Sequence, residues 1–467
     1  MTNTTAVQDH GYYTQRQEPA MEFYADQDKT EKSIRANSWL DLLPSLPKKP
    51  LAIVCMMLVV VAIGYEWMYV GLLWDPLGRI PHLTVALVNQ DKGFNLPDTS
   101  PLKQLTTDLF NGESAGAFIA STIMDPELPI YHTFKWSQLP DTTSRDQAIE
   151  HVSRGDSWAL LYIPSNFSQN FLSATDRATR QPWEAEWISD EGRNPNTQMF
   201  LLDAKMQVFS AFSTSLASQF LSSKAGPILV QAFDPTFWTN SLQVHETTLH
   251  PLQDYGSNFA SYLSFVVSYI VCLLTVVMVY RLSRIGDILK SRRYPAFRVV
   301  VTWRLVAAFI ALLQSMVIII PFVSLKHHQF EWKNAGYAIA FIWYTSLAFQ
   351  STLFLAANIF TPELFQIPSA LFMILQLTTS GGIYALELQP GFARIGEAFP
   401  MYYGIRGLRS IFYGSLTHKM WINWLVITAW IVIPGGISTL WTRRKIKTLR
   451  LDDWTKDQSG SLGERSC

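Results

Sequence analysis

Six stretches of mostly apolar residues dominate this chain. Each is about 20 residues or longer, which as a helix is enough to cross the ~30 Å hydrocarbon core of a bilayer. They run from Leu51 to about Trp74, Phe259 to Tyr280, about Val299 to Leu325, Ala335 to Phe360, Leu364 to Leu386 and Met420 to Thr442. Charged residues make up only 16% of the chain, against about 25% in an average soluble domain. The expected fold class is a polytopic α-helical membrane protein with six transmembrane helices, one ahead of a long polar interval and five after it. Residues 1–48 are polar and read as a disordered cytosolic tail. The first apolar run starts too late and is too long for a secretory signal peptide.

Lysine and arginine positions set the expected orientation. Lys48 and Lys49 precede the first run, six basic residues from Arg281 to Arg298 separate the second and third, and five from Arg443 to Arg450 follow the sixth. All three clusters fall on one side of a six-span chain, which places both termini in the cytosol and residues 443–467 in a cytosolic basic tail. The clusters serve orientation, or they also attract anionic lipid. With a formal net charge of +0, nothing points to nucleic acid as a partner.

Residues 75–258 then lie on the non-cytosolic side, a length sufficient for an independent domain. "LTVALVNQDKGF", Leu83 to Phe94, reads as a strand closed by a turn, and "SWALLYIP", Ser157 to Pro164, as a second strand. "SRDQAIEHVSRG" has helical spacing and stops at a glycine, and the run from Asn196 to about Phe233 is mostly helical in pattern. An α+β domain is expected. Asn166 begins a glycosylation sequon within it, whereas the sequon at Asn3 falls on the cytosolic side.

Enzymatic motifs are missing. The chain contains no phosphate-binding loop of the G-x-x-x-x-G-K-[ST] type and no G-x-S-x-G elbow. His327-His328 sits in a short loop, and the other histidines have no metal-ligand spacing. Cys55 and Cys272 lie in apolar runs and Cys467 at the terminus, so no disulfide is expected. The reading is a non-enzyme without a cofactor or metal.

Polar residues inside apolar runs are costly in lipid and face protein or water. Glu66 either sits near the outer interface or lines a substrate path. Gln314, Ser315, Gln350, Ser351 and Gln376 are expected to bond between helices. Thr378-Thr379-Ser380-Gly381-Gly382 allows either close helix packing or a break. From Tyr384 to Ser415 the chain is interrupted by Pro390, Gly391 and Pro400, and carries Arg394, Arg406 and Arg409 against the charge trend. Tyr402, Tyr403 and Phe412 supply interfacial aromatics. A re-entrant hairpin over residues 387–415 and an outer loop with a surface helix both fit.

"SGGIYALELQPGFARIGEAFPMYYGIRGLR" resembles the C-terminal signature of ABC-2-type export permeases, with Glu387, Pro390, Pro400 and Arg409 in the signature places. "LTVALVNQDKGF" and "GDSWALLYIPSNFSQNF" resemble elements of the extracytosolic domain of bacterial phage-infection-protein relatives. The combination is similar to the fungal nitrosoguanidine-resistance protein family, over residues from about 50 to 445. That resemblance implies a plasma-membrane protein linked to export of, or resistance to, lipophilic toxic molecules, or to the distribution of membrane lipids. It implies a homodimer and a separate ATPase subunit as partners. Glu66 and Gln376 would sit by the pathway, Thr378 to Gly382 would allow helix motion, and the Glu387 to Arg409 hairpin would form the outer gate. The basic stretch "RLSRIGDILKSRRYPAF" would be a coupling helix or a membrane-surface anchor. The alternative is a non-transporting regulator or receptor whose polar domain binds a ligand or partner.

Overall fold

The computed structural model describes residues 48–98, 101–175, 183–222, 242–252, 256–285, 294–325, 332–360 and 364–463. The tail up to residue 47, residues 223–233 of the long helical run, residues 286–293 of the basic stretch, His327-His328 and Cys467 lie outside the described residues. The chain divides into two units, residues 1–60 and 61–467. The first is described only where helix α1 (Lys48–Leu73) begins, with Met56, Leu58, Val59 and Val60 exposed. Everything below concerns the second.

Within that unit α1 runs through a 3₁₀ turn (Leu77–His82) directly into strand β1 (Thr84–Asn89). The expected strand is therefore present and hangs from the first apolar helix. Helices α2 (Pro101–Phe110) and α3 (Ala115–Met124) lead to β2 (Lys135–Gln138), and α4 (Arg145–Ser153) leads to β3 (Ala159–Ile163). Helix α5 (Phe167–Thr175), β4 (Glu184–Asp190), α6 (Pro195–Ser222) and β5 (Gln243–Leu249) complete the layer. The strands form one five-stranded sheet in the order β2-β1-β3-β4-β5. Only β3 and β4 pair antiparallel; the other neighbours are parallel. The α+β expectation thus becomes a mixed sheet with helical crossovers.

Central strands buried on both faces read as continuous apolar runs, and β3 is buried at all its positions. Alternate residues point to opposite faces. Val85, Leu87, Leu161 and Trp187 meet Phe118, Phe167, Phe171 and Phe209 on one side, while Ala86, Val88, Leu160 and Ile188 meet Ala148 and Val152 of α4 on the other. Just past β1, Asp91 explains the turn that closes it. Its carboxylate accepts from the N–H of Gly116 (2.8 Å) in α3 and the N–H of Ser168 (3.0 Å) in α5. The Ser168 hydroxyl also donates to Asp91 and accepts from the N–H of Ala115 at 2.9 Å. One anion therefore serves the N-terminal ends of two helices, where unpaired N–H groups and the helix dipole favour it.

After the sheet come α7 (Ser257–Ile285), α8 (Ala296–Leu325), α9 (Trp332–Ile359), α10 (Gln366–Thr378), α11 (Pro400–Tyr413) and α12 (Met420–Gly463). Among the described residues, five helices are long and apolar enough to cross a membrane: α1, α7, α8, α9 and α12. These mark an integral membrane protein. Within the expected span from Leu364 to Leu386, α10 stops early: it has 13 residues, about 20 Å at 1.5 Å per residue, by itself short of the ~30 Å core. The cause is the Thr-Thr-Ser-Gly-Gly stretch. Thr378, Thr379 and Ser380 donate their hydroxyls back to Ile374, Leu375 and Leu377 carbonyls, and Gly381 turns into positive φ, +65°. The stretch breaks the helix. The expected end of the last span at Thr442 is also passed, because α12 continues through the basic cluster.

Polar side chains do tie the long helices together as expected. Gln314 donates to Ser346 Oγ at 3.2 Å and Gln350 to the Ala307 carbonyl at 2.7 Å. Arg304, a charge inside α8 that the spacing did not flag, donates to Ser438 and lies 4.1 Å from the Phe354 ring. Asn358 bonds Thr442 Oγ1 (2.8 Å) beside it.

Candidate functional site

The break after α10 leaves backbone carbonyls without helical partners, and irregular backbone in such a setting must be covered by protein or water. Three segments supply the cover. Arg409 of α11, 5% exposed, donates to the carbonyls of Gly382 (2.7 Å), Gly381 (3.3 Å) and Arg193 (3.1 Å). The loop entering α6 adds Asn194 Nδ2 to Gly381 O and Asn196 Nδ2 to Ile383 O, each at 3.0 Å. Thr197 Oγ1 accepts from the N–H of Ala385 at 2.9 Å. Gln389 then donates to the Thr378 carbonyl at 3.1 Å. The break is closed from both the sheet layer and the apolar helices.

Close approach explains two glycines. A Cβ on Gly382 would run into the Tyr262 ring of α7, and one on Gly396 into the Thr379 carbonyl. Pro390 precedes a 3₁₀ segment (Gly391–Ala398), and Pro400 occupies the first turn of α11, where its missing N–H costs nothing.

Between these pieces lies a cleft of about 170 Å³, reached by Trp158 and Arg193 from the sheet layer, Glu387 and Glu397 from the 3₁₀ segments, and Arg406 and Lys419 beyond. Arg193 stacks 3.6 Å above the Trp158 ring, donates to Ser157 O at 3.2 Å and approaches Glu387 at 3.9 Å. Burial pushes its guanidinium below the usual arginine range, and the Glu387 charge opposes that shift. Arg406 Nε is buried without a hydrogen-bond partner among the described residues. Its guanidinium lies 5.9 Å from the Tyr402 ring and 5.7 Å from the Tyr403 ring. Arg406 and Arg409, three apart on one helix, thus divide their work: one meets the cleft and the other staples the break.

A second polar contact joins the sheet to the end of α11. Asp190, 1% exposed, accepts from Ser415 Oγ at 2.7 Å and from His250 Nδ1 at 3.0 Å. The Asp190 hydrogen bond lifts the His250 pKa above the ordinary value, against the effect of burial. Serine here bonds the carboxylate rather than the imidazole, so the group lacks the relay order of a nucleophilic triad.

The structure joins Arg409 to Gly381 and Gly382 by hydrogen bonds and sets Gly381 and Glu387 in one cleft, while Pro390 and Pro400 start the 3₁₀ segment and α11 that follow. Glu66 is not among them; it faces outward from α1 with no ion pair among the described residues. Gln376 is fully buried in α10, and neither of its amide atoms has a hydrogen-bond partner in the described structure. Its expected interhelical bond is therefore not formed. Asn166 is exposed at the start of α5, 3.3 Å from Asn170 Oδ1. Sequence reasoning missed Trp158, Arg193 and Lys419, which reach the cleft from three distant segments with no local motif. Among the described residues no cluster of histidine, cysteine and carboxylate side chains could hold a metal.

The family described as protein of unknown function, DUF3533, matches residues 54–435, and the chain belongs to it. No curated protein and no solved structure matches the chain.

Proposed function

We propose, taking membership of this family as the premise, that the chain is an ABC-2-permease-like membrane protein. In this reading it exports lipophilic molecules or shifts lipids between leaflets, and thereby confers resistance to toxic small molecules. The observation that carries the reading is the cleft itself: a charged recess beside a broken helix, lined by the sheet layer, the residues after α10 and α11. Broken helices that line a recess are a recurring way for transporters to present backbone and charge to a cargo. In this reading both termini lie in the cytosol and the sheet layer outside, an orientation the basic clusters support, and the protein acts at the plasma membrane with a homodimer and a separate ATPase subunit as partners.

The test is energy-dependent efflux of fluorescent lipophilic drugs and short-chain labelled phospholipids in cells lacking or overproducing the chain. Flux should rise with expression and fall when Arg406 is changed to Gln. Unchanged flux for every probe, at confirmed surface expression, removes the transport reading. A second reading has its own support: the Asp190–Ser415 and Arg409–Arg193 bonds connect the sheet to α11. A regulator whose sheet layer binds a ligand would use that connection to signal. Loss of resistance only with changes in the sheet layer, and never in the cleft, would favour it.

A further inference from the structure

Cationic side chains outnumber carboxylates in the cleft. Three cations, Arg193, Arg406 and Lys419, share it with two carboxylates, Glu387 and Glu397. Glu387 lies 3.9 Å from Arg193, beyond hydrogen-bond length. Glu397 is exposed and pairs with no cation among the described residues. Lys419 makes no ion pair among the described residues either; the Arg406 guanidinium hydrogen-bonds the Tyr402 side chain and contacts the Lys419 carbonyl at 3.5 Å, and meets no carboxylate among the described residues. Arg406 Nε is buried and unpartnered. The nearby Asp190 is already engaged by His250 and Ser415. Among the described residues no carboxylate of the recess lies within hydrogen-bond length of these three cations.

We propose that the cleft binds a phosphate-ester monoanion, with Arg406 and Lys419 as its direct donors and Arg193, fixed on Trp158, as the charge behind them. Three cations against two carboxylates leave a single positive charge unmatched, which suits a phosphodiester better than a dianion. Arginine offers a planar fork to phosphate oxygens and lysine a point charge. The aromatic rings of Tyr402 and Tyr403 beside Arg406 keep its guanidinium in place. Two sources carry this chemistry, a phospholipid headgroup and a soluble phosphate, and titration with each separates them. The inference rests on the cleft being the working site, but not on transport.

The experiment uses the purified full chain in neutral detergent. Thermal stabilisation is titrated with dihexanoyl phosphatidylglycerol, with the matching diacylglycerol that lacks phosphate, and with inorganic phosphate. Phosphatidylglycerol should stabilise saturably and diacylglycerol should not. Arg406→Gln and Lys419→Gln should each weaken the apparent affinity about tenfold, the effect of one charged hydrogen bond. Arg394→Gln, an exposed cation away from the cleft, should leave it unchanged. If Arg406→Gln does not fold, Lys419→Gln at the rim carries the test. Inorganic phosphate acting as well as the lipid would keep the anion site and move its source to solution. Equal stabilisation by diacylglycerol, equal weakening by Arg394→Gln, or unchanged affinity in the cleft variants would overturn the proposal. Binding without flux would remove the transport reading alone, whereas flux without saturable binding would remove this one alone.

Discussion

Replacing Arg409 by Met should destabilise the protein by about 2–3 kcal/mol. The number follows from counting what each carbonyl keeps. Gly381 O retains Asn194 Nδ2 at 3.0 Å, so only the carbonyls of Gly382 and Arg193 lose their donor. A buried polar group left unpaired costs about 1–3 kcal/mol. Against that loss stands the relief of no longer desolvating a guanidinium, which keeps the net below the sum of the two penalties. Arg409→Lys should fall between Met and the parent, because one ammonium lacks the fork that reaches three carbonyls. Asn194→Ala supplies the internal check: in the double variant Gly381 O is stranded as well, so the two losses should exceed additivity by about 1 kcal/mol. Denaturation of the full chain in mild detergent, followed by tryptophan fluorescence, reads all four variants. An Arg409→Met protein within about 0.5 kcal/mol of the parent, the range of ordinary surface changes, would refute the staple. Strict additivity with Asn194→Ala would refute the shared-carbonyl argument.

Asp91→Ala should cost about 2–4 kcal/mol, since it strands N–H groups at the starts of both α3 and α5, and protease sensitivity should rise near residues 111–116 and 164–168. The His250–Asp190 contact should be pH dependent: a raised histidine pKa means its contribution is complete below about 6.5 and is lost as pH rises through the raised value. Melting temperature measured from pH 5.5 to 8.5 should therefore fall more in the parent than in His250→Asn. Gln376→Leu, which removes a buried amide with no partner, should be neutral or stabilising by about 1 kcal/mol in the same denaturation assay. A loss of 2 kcal/mol or more, on the order of an orphaned partner group, would show that the amide is bonded in the working protein.

Much of the architecture was legible because it rests on runs. β1 and β3 are apolar stretches bounded by turn residues and buried on both faces, and the long helices are equally continuous. β2 and β5 escaped because they are edge strands: "KWSQ" and "QVHETTL" carry polar side chains with little burial, so no alternation marks them. The early stop of the helix in the fifth apolar run was hidden for a different reason. Averaged hydropathy passes smoothly over Thr378 to Gly382, and only the hydroxyls bonding back to their own helix, with Gly381 at positive φ, reveal the stop. Arg409 stood out as a charge against the membrane trend, yet its role differs from that of an open gate residue. Glu66 drew notice on the same rule, and on α1 it is exposed, with no ion pair among the described residues. Arg193, Arg406 and Lys419 become one site only when the fold joins them, and no spacing rule links positions so far apart.

The bonds around the break bear on how the two layers depend on each other. Asn194, Asn196 and Thr197 belong to the segment that enters α6 from β4, yet their side chains satisfy carbonyls and an N–H that α10 abandons. Arg409 repays the contact in the opposite direction by holding the Arg193 carbonyl. Neither layer can therefore reach its final hydrogen bonding alone. In water the abandoned backbone groups would find solvent at little cost, but in a lipid-adjacent setting each unpaired group costs several kcal/mol. That cost makes the sheet layer part of the helical layer's fold rather than an ornament on it. It also accounts for the placement of the cleft, since the segment forced to cover the break is the one that carries Arg193 to the recess.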